Sequence, residues 1–109
     1  MEHRMRLVDF AFNEIKNRNK DIEVRLNDEK RQLIRIGDTI IFENIDTGDT
    51  IRVEVINLYI FDSFKELFDA FEHERLGLSN NTTSDIMNDF YTEEEQLKYD
   101  ALGIEIKLI

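Results

Sequence analysis

The chain has 109 residues, 41% hydrophobic, 10% aromatic and 35% charged, with no Cys and a formal net charge of −10. That length and apolar content predict one packed domain with a heavily charged surface, and exclude a disordered chain or two separate cores. The lack of Cys excludes disulfides and thiolate metal centres, and the acidity disfavours a long nucleic-acid duplex as partner.

Met1-Glu2-His3-Arg4-Met5-Arg6 is not followed by the apolar run of a signal peptide. No stretch approaches the roughly 18 apolar residues of a membrane helix. A soluble, cytoplasmic protein with no membrane partner is expected. The charge is unevenly spread: residues 1–36 hold nine Lys/Arg against seven Asp/Glu, and residues 37–109 hold five against seventeen. Contact with an anion should therefore fall on the N-terminal third.

In chain order, residues 3–7 are a short mixed segment that can form a first strand. Asp9 is placed to cap a helix over 10–18, with Phe12 and Ile15 inward. Asn17 and Asn19 are suited to end it, because Asn tolerates a left-handed backbone. Ile22, Val24 and Leu26 alternate with Asp21, Glu23, Arg25 and Asn27, which predicts a half-buried strand with a charged outer face. Residues 28–34 fit a single helical turn or loop, and Gly37-Asp38 a turn. Residues 39–43 form the next strand, and Asp46-Thr47-Gly48-Asp49 a hairpin turn into a long strand over 50–59.

Ser63-Phe64-Lys65-Glu66 has the form of a capping box and should open a helix over 64–72 that buries Phe64, Leu67, Phe68 and Phe71. Thr83 or Ser84 can cap a second helix carrying Ile86, Met87 and Phe90. Thr92-Glu93-Glu94-Glu95 is another capping box, leading into Leu97 and Tyr99. Its acidic run suits the first turn of a helix and solubility. Gly103 reads as a stop before a last strand of Ile104, Ile106 and Leu108. Strands and helices do not alternate regularly, so the pattern predicts an α+β fold: a small curved sheet or barrel of about five strands with helices packed at its openings.

Sites for chemistry are few. There is no phosphate-binding loop, dinucleotide fingerprint or nucleophile elbow. His3 and His73 lie far apart. Glu72-His73-Glu74 points in different directions on a helix, so it reads as a solvated polar face; no metal and no cofactor is expected. Segment 20–25 differs, because Lys20, Glu23 and Arg25 converge near one sheet edge. A lysine can serve as nucleophile or base when burial lowers its pKa, and a carboxylate can accept a proton or read an amino group. The same spacing also fits a cross-strand salt bridge.

At this segment, Ile15-Lys16-Asn17-Arg18-Asn19-Lys20-Asp21-Ile22-Glu23-Val24-Arg25-Leu26, the sequence resembles the ASCH domain family, a branch of the PUA-like β-barrels. The family pattern is an apolar helix end, a Gly, then Lys-x-x-Glu-x-Arg. Ile36-Gly37-Asp38-Thr39-Ile40-Ile41-Phe42, the Ser63–Phe68 helix start and Gly103-Ile104-Glu105-Ile106-Lys107-Leu108 extend the likeness over the whole chain, 1–109, as a single domain. Arg18 stands where the family usually has Gly, with Asn17 and Asn19 beside it to supply the turn.

The resemblance implies a PUA-like barrel with a cleft between sheet and helices, and RNA, a nucleotide or a modified nucleoside as partner. Arg18, Lys20 and Arg25 would then hold a phosphate or a polar base edge, with Glu23 and Glu74 accepting from base amino groups. Some small members are amidohydrolases that deacetylate N4-acetylcytidine with a Lys, a Thr and a Glu. Lys20 matches that Lys and Glu74 that Glu, while Glu23 occupies the Thr position; the catalytic set here would be Lys20, Glu23 and Glu74. A third alternative is a protein-interaction module anchored by Tyr59, Phe61 and Phe90, residues whose spacing also suits a core.

Overall fold

The alternating segments assemble into one five-stranded sheet of order β1-β3-β4-β5-β2. The computed structural model describes residues 1–109. In chain order the elements are β1 (Glu2–Leu7), α1 (Asp9–Lys16), β2 (Ile22–Leu26), β3 (Thr39–Asn44), β4 (Thr50–Phe61), α2 (Phe64–Ala70), α3 (Glu93–Lys98) and β5 (Ala101–Leu108). Three 3-10 turns, Arg31–Leu33, His73–Leu76 and Ser84–Asp89, fill the connections. β1 runs parallel to β3 and every other pairing is antiparallel. The sheet curls into a half-barrel, the α+β architecture expected from the sequence, with β1 and β2 as its unpaired edges. A register shift between Val55 and Asn57 bends the 12-residue β4, as an inserted residue in a ladder does.

Two cores form. Phe12 and Ile15 of α1 pack with Phe42, Val53, Val55, Leu102 and Ile104 of the sheet. A second cluster joins Ile22, Leu26 and Ala101 to Phe64, Leu67 and Phe68 of α2, and to Leu76 and Met87. Alternation along β5 therefore serves both clusters, Ala101 in the second and Leu102, Ile104 and Ile106 in the first, while β2 feeds only the second.

Several local expectations are revised. Asp9 is the first residue of α1, not its cap; its Oδ1 accepts from Asn13 and from the buried Asn44. α2 ends at Ala70, and Ser63 Oγ accepts from Glu66 N while the Glu66 carboxylate reaches back to Asp62 N. The segment after Thr83 forms 3-10 turns, with no side-chain cap from Thr83. Leu97 faces solvent. Gly103 lies inside β5, with Ile22, Leu67 and Phe71 at van der Waals distance from where a Cβ would stand. The box at Thr92 forms as expected, with Thr92 and Glu95 bonded reciprocally.

The end of α1 sets the path of the chain into β2. Arg18 N–H donates to Ile15 O and Asn19 N–H to Glu14 O, the paired bonds of a Schellman ending. The left-handed residue is Arg18 itself, at φ 67°, while Asn17 keeps a negative φ. The turn thus occurs where a Gly was expected, and Arg18 carries its strain. Arg18→Gly should raise stability by about 0.5–1 kcal/mol, net of the freedom a Gly gains when unfolded. A thermal melt would check this; an unchanged or lower Tm counts against strain at this residue.

Candidate functional site

The Schellman turn places Lys20 two residues ahead of β2, with Lys20 N–H bonded to Glu14 O. The turn His73–Leu76 then crosses the start of β2: Asp21 N–H donates to Arg75 O, and Arg75 grips the Asp21 carboxylate through Nε at 2.9 Å and Nη2 at 3.2 Å. This docking sets the Leu76 carbonyl 2.9 Å from Lys20 Nζ. Gly77, in a left-handed conformation at φ 75°, lets the turn come this close, because a Cβ there would stand 2.9 Å from Lys20 Cδ. Gly77→Ala should destabilise by about 1–3 kcal/mol from backbone strain alone and displace the Lys20 stem. Urea unfolding and the Lys20 side-chain NMR signals measure the two effects.

Lys20, Glu23 and Arg25 form a continuous ion triad. Lys20 Nζ lies 3.1 Å from Glu23 Oε1, and Arg25 Nε donates to Glu23 Oε2 at 2.8 Å. Lys20 is 8% exposed and Glu23 4%, so the face expected to be outer and charged is buried. The period of two along β2 is as expected, but the half-barrel curls over both faces. Burial alone would push the Glu23 carboxyl up; the charges and hydrogen bonds of Lys20 and Arg25 outweigh it and hold the group below its usual value. A lowered folded value means the ionised form contributes stability above the ordinary carboxylate range. That contribution is lost as pH falls through the lowered value. Wild type and Glu23→Gln should therefore differ in stability near pH 7 and converge as pH falls below the ordinary carboxylate range, read by denaturant midpoints across a pH series.

Arg25 also spans the open edge of the sheet. Its Nη2 donates to Arg6 O of β1 at 2.8 Å, tying β2 to β1 across a seam with no backbone ladder. Beside this seam lies a cavity of about 300 Å³, at the small end of ligand sites. Thirteen of its eighteen lining residues are hydrophobic, so its polar character comes chiefly from the triad and Arg6. Both cores contribute walls, Leu7 from one and Phe68, Leu76 and Met87 from the other. Exposed Phe10 and Phe90 lie at its mouth, and Tyr91 lines it while its hydroxyl faces Leu26 N.

Of the residues singled out in the sequence, Lys20, Glu23 and Arg25 meet at this cavity. Arg18 does not; it is exposed on a smaller depression with Asp21 and Lys107. Glu74 is exposed on the His73–Leu76 turn and does not line the cavity. Phe90 does, whereas Tyr59 and Phe61 are half-buried with their rings edge-on to Phe71. Sequence reasoning does not find Gly77, Leu76, Phe10 or Tyr91. Only Gly77 carries a sequence signal, an isolated Gly after a charged turn. No three His, Asp or Glu side chains gather where they could hold a metal, and His73 Nδ1 faces Ser79 O instead. No helix is long and apolar enough to cross a membrane.

The family model for the ASCH domain matches residues 5–109. The chain belongs to the ASCH domain family. Among solved structures, this ASCH domain is similar to the hypothetical protein PH0355, with 34% identity, a TM-score of 0.86 and complete coverage of both chains. It is also similar to protein PF0455 of Pyrococcus furiosus, solved by NMR, with 34% identity, a TM-score of 0.77, and 100% and 98% of the two chains covered. A mutant of the ASCH protein of Zymomonas mobilis shares the fold at 13% identity and a TM-score of 0.73, over 97% of this ASCH domain and 67% of that chain. No curated protein matches the chain at a significant level.

Proposed function

We propose that this ASCH domain binds a component of RNA, with one base or a similar heterocycle held in the cavity beside β2. The observation that carries this reading is the buried Lys20–Glu23–Arg25 triad set into otherwise apolar walls. Such a pocket takes a flat ring by contact and orients it with a few fixed polar groups. Phe10 and Phe90 at the mouth are suited to stack on neighbouring bases. The net charge of −10 favours a nucleoside, a nucleotide or a short RNA end over a long duplex. Titration at low salt with nucleosides, nucleotides and short single-stranded RNAs should give binding that Arg25→Ala weakens about tenfold or more, the value of a charge-assisted hydrogen bond. Absence of any binding that depends on Arg25 would overturn the proposal.

An amidohydrolase acting on an N4-acetylcytidine-type nucleoside is the second reading, favoured by a lysine at the cavity wall. Against it, both Glu23 oxygens are already engaged by cations and Glu74 is exposed outside the cavity. Release of cytidine from N4-acetylcytidine, abolished in Lys20→Ala, would establish it; no release, or full activity in that variant, would exclude it.

A further inference from the structure

The cavity has a charge unlike that of the rest of the chain. Its only ionisable acid or base side chains, apart from the Tyr91 phenol, are Arg6, Lys20, Arg25 and Glu23; Arg6 is largely exposed and faces Glu43 at 3.7 Å, which leaves the enclosed triad with two cations against one carboxylate. The whole molecule carries −10. The excess positive charge sits among apolar walls, where an uncompensated charge is costly and attracts a counter-charge. The accessible hydrogen-bonding capacity left in the triad is mainly of one sense. Each Glu23 oxygen already faces a cation, Oε1 towards Lys20 and Oε2 towards Arg25. Lys20 Nζ meets Leu76 O and Glu23, two partners for an ammonium with three N–H groups. Arg25 uses Nε and one N–H of Nη2. Its Nη1 makes no hydrogen bond of good geometry and is not among the buried unpartnered atoms, and the Tyr91 hydroxyl is the further oxygen beside the guanidinium, so Nη1 is accessible at the cavity wall. The spare N–H groups are donors, while the remaining lone pairs of Glu23 lie on a 4% exposed residue between two cations, so a ligand that offers donors, such as an amino edge, is met less well than one that accepts.

We infer that the cavity selects a small, flat monoanion whose negative charge lies on oxygen, such as an aromatic or heteroaromatic carboxylate or an ionised ring oxygen. The inference rests on the reading that this cavity is the ligand site, and it narrows the ligand's chemistry. The oxygen head accepts from Arg25 Nη1 and the spare Lys20 hydrogen, and the ring lies between the apolar walls. A single charge suits this site better than several, because the acidic exterior repels a polyanion more strongly than a monoanion. The oxygen head also distinguishes the ligand from a neutral base read through its amino group.

The test is calorimetric titration of the full chain at low salt with four probes: orotate, benzoate, uridine and benzamidine. Orotate and benzoate share the carboxylate but differ in ring, uridine is a neutral nucleoside, and benzamidine is a cation of similar shape. Orotate should bind at least about tenfold tighter than uridine, benzoate should bind measurably, and benzamidine should not bind, as expected when a buried donor site rejects a ligand without an acceptor. Arg25→Lys keeps a charge beside Glu23 but loses Nη1. It should weaken orotate about tenfold while remaining folded by circular dichroism; if it unfolds, a shift of the Arg25 guanidinium NMR signals on adding orotate to wild type gives the same readout. Equal or tighter Arg25-dependent binding of uridine or benzamidine would overturn the inference. Binding of nucleosides or short RNA without orotate or benzoate would overturn it too, and would leave the RNA-component reading standing. Binding of the two carboxylates without any nucleoside, nucleotide or RNA would support the inference and remove that reading. No binding by any probe or RNA overturns both.

Discussion

Glu23→Leu should lower the stability of the domain by about 3–5 kcal/mol, the cost of removing one partner from a buried ion pair. Leucine fills much of the glutamate volume, so the loss is mainly electrostatic. Lys20, 8% exposed, would keep only Leu76 O as partner, and Arg25 would keep Arg6 O. For a domain of this size the change corresponds to a fall in Tm on the order of 10–20 °C. The double variant Lys20→Met/Glu23→Leu should be less destabilised than the sum of the two single variants, by roughly 0.5–3 kcal/mol, because it removes the orphaned ammonium as well. Urea unfolding of the four proteins closes the cycle. A loss below about 1 kcal/mol for Glu23→Leu, the range of an exposed pair, would show that the triad is solvated in solution.

Phe12→Ala and Phe42→Ala should each cost about 3–5 kcal/mol, the usual range for emptying a buried aromatic site. Phe12 is 2% exposed and Phe42 is fully buried, and they pack in the same cluster. Their effects on the cavity should differ. Phe12 anchors α1, whose end places Lys20 and whose first turn carries Phe10 at the mouth. Phe42 lies in β3, which contributes no residue to the cavity. At a temperature where both variants remain folded, Phe12→Ala should lose most of its ligand affinity and Phe42→Ala should keep it. Titration alongside a melt of each variant separates the two effects, and equal affinities would break the link between α1 and the site.

The sheet was largely legible from alternation and turn chemistry. β2 and β4 stand where the period of two located them and β3 where its turn signals did, β5 begins at Ala101, ahead of the Gly103 read as a stop, and Thr92 caps α3 as its spacing implied. Alternation reports which residues share a face but not which face is enclosed. It therefore assigns Glu23 and Arg25 to solvent, although the curl of the sheet buries Glu23 and leaves the Arg25 side chain only 15% exposed. The triad could be seen as a convergence of charges, and the seam that makes Arg25 structural could not, because it depends on the edges β1 and β2 meeting. Glu74 shows the limit of matching residue types: its turn docks through the neighbouring Arg75 and Leu76, which leaves the Glu74 side chain outside. Arg18 shows that a backbone geometry can persist when the residue best suited to it does not.

A half-barrel fastened by one guanidinium has a preferred line of opening. Backbone ladders hold β1 to β3 and β2 to β5, while the gap between β1 and β2 is spanned by Arg25 and Arg6 O. A side-chain bond of this kind makes and breaks without disturbing either ladder. Amide protons along the outer edges of β1 and β2 should therefore exchange with solvent long before those of β4, which has a strand on each side. Occupation of the cavity beside Arg25 would slow that exchange on both edges together, so the pace of the seam reports whether the site is filled.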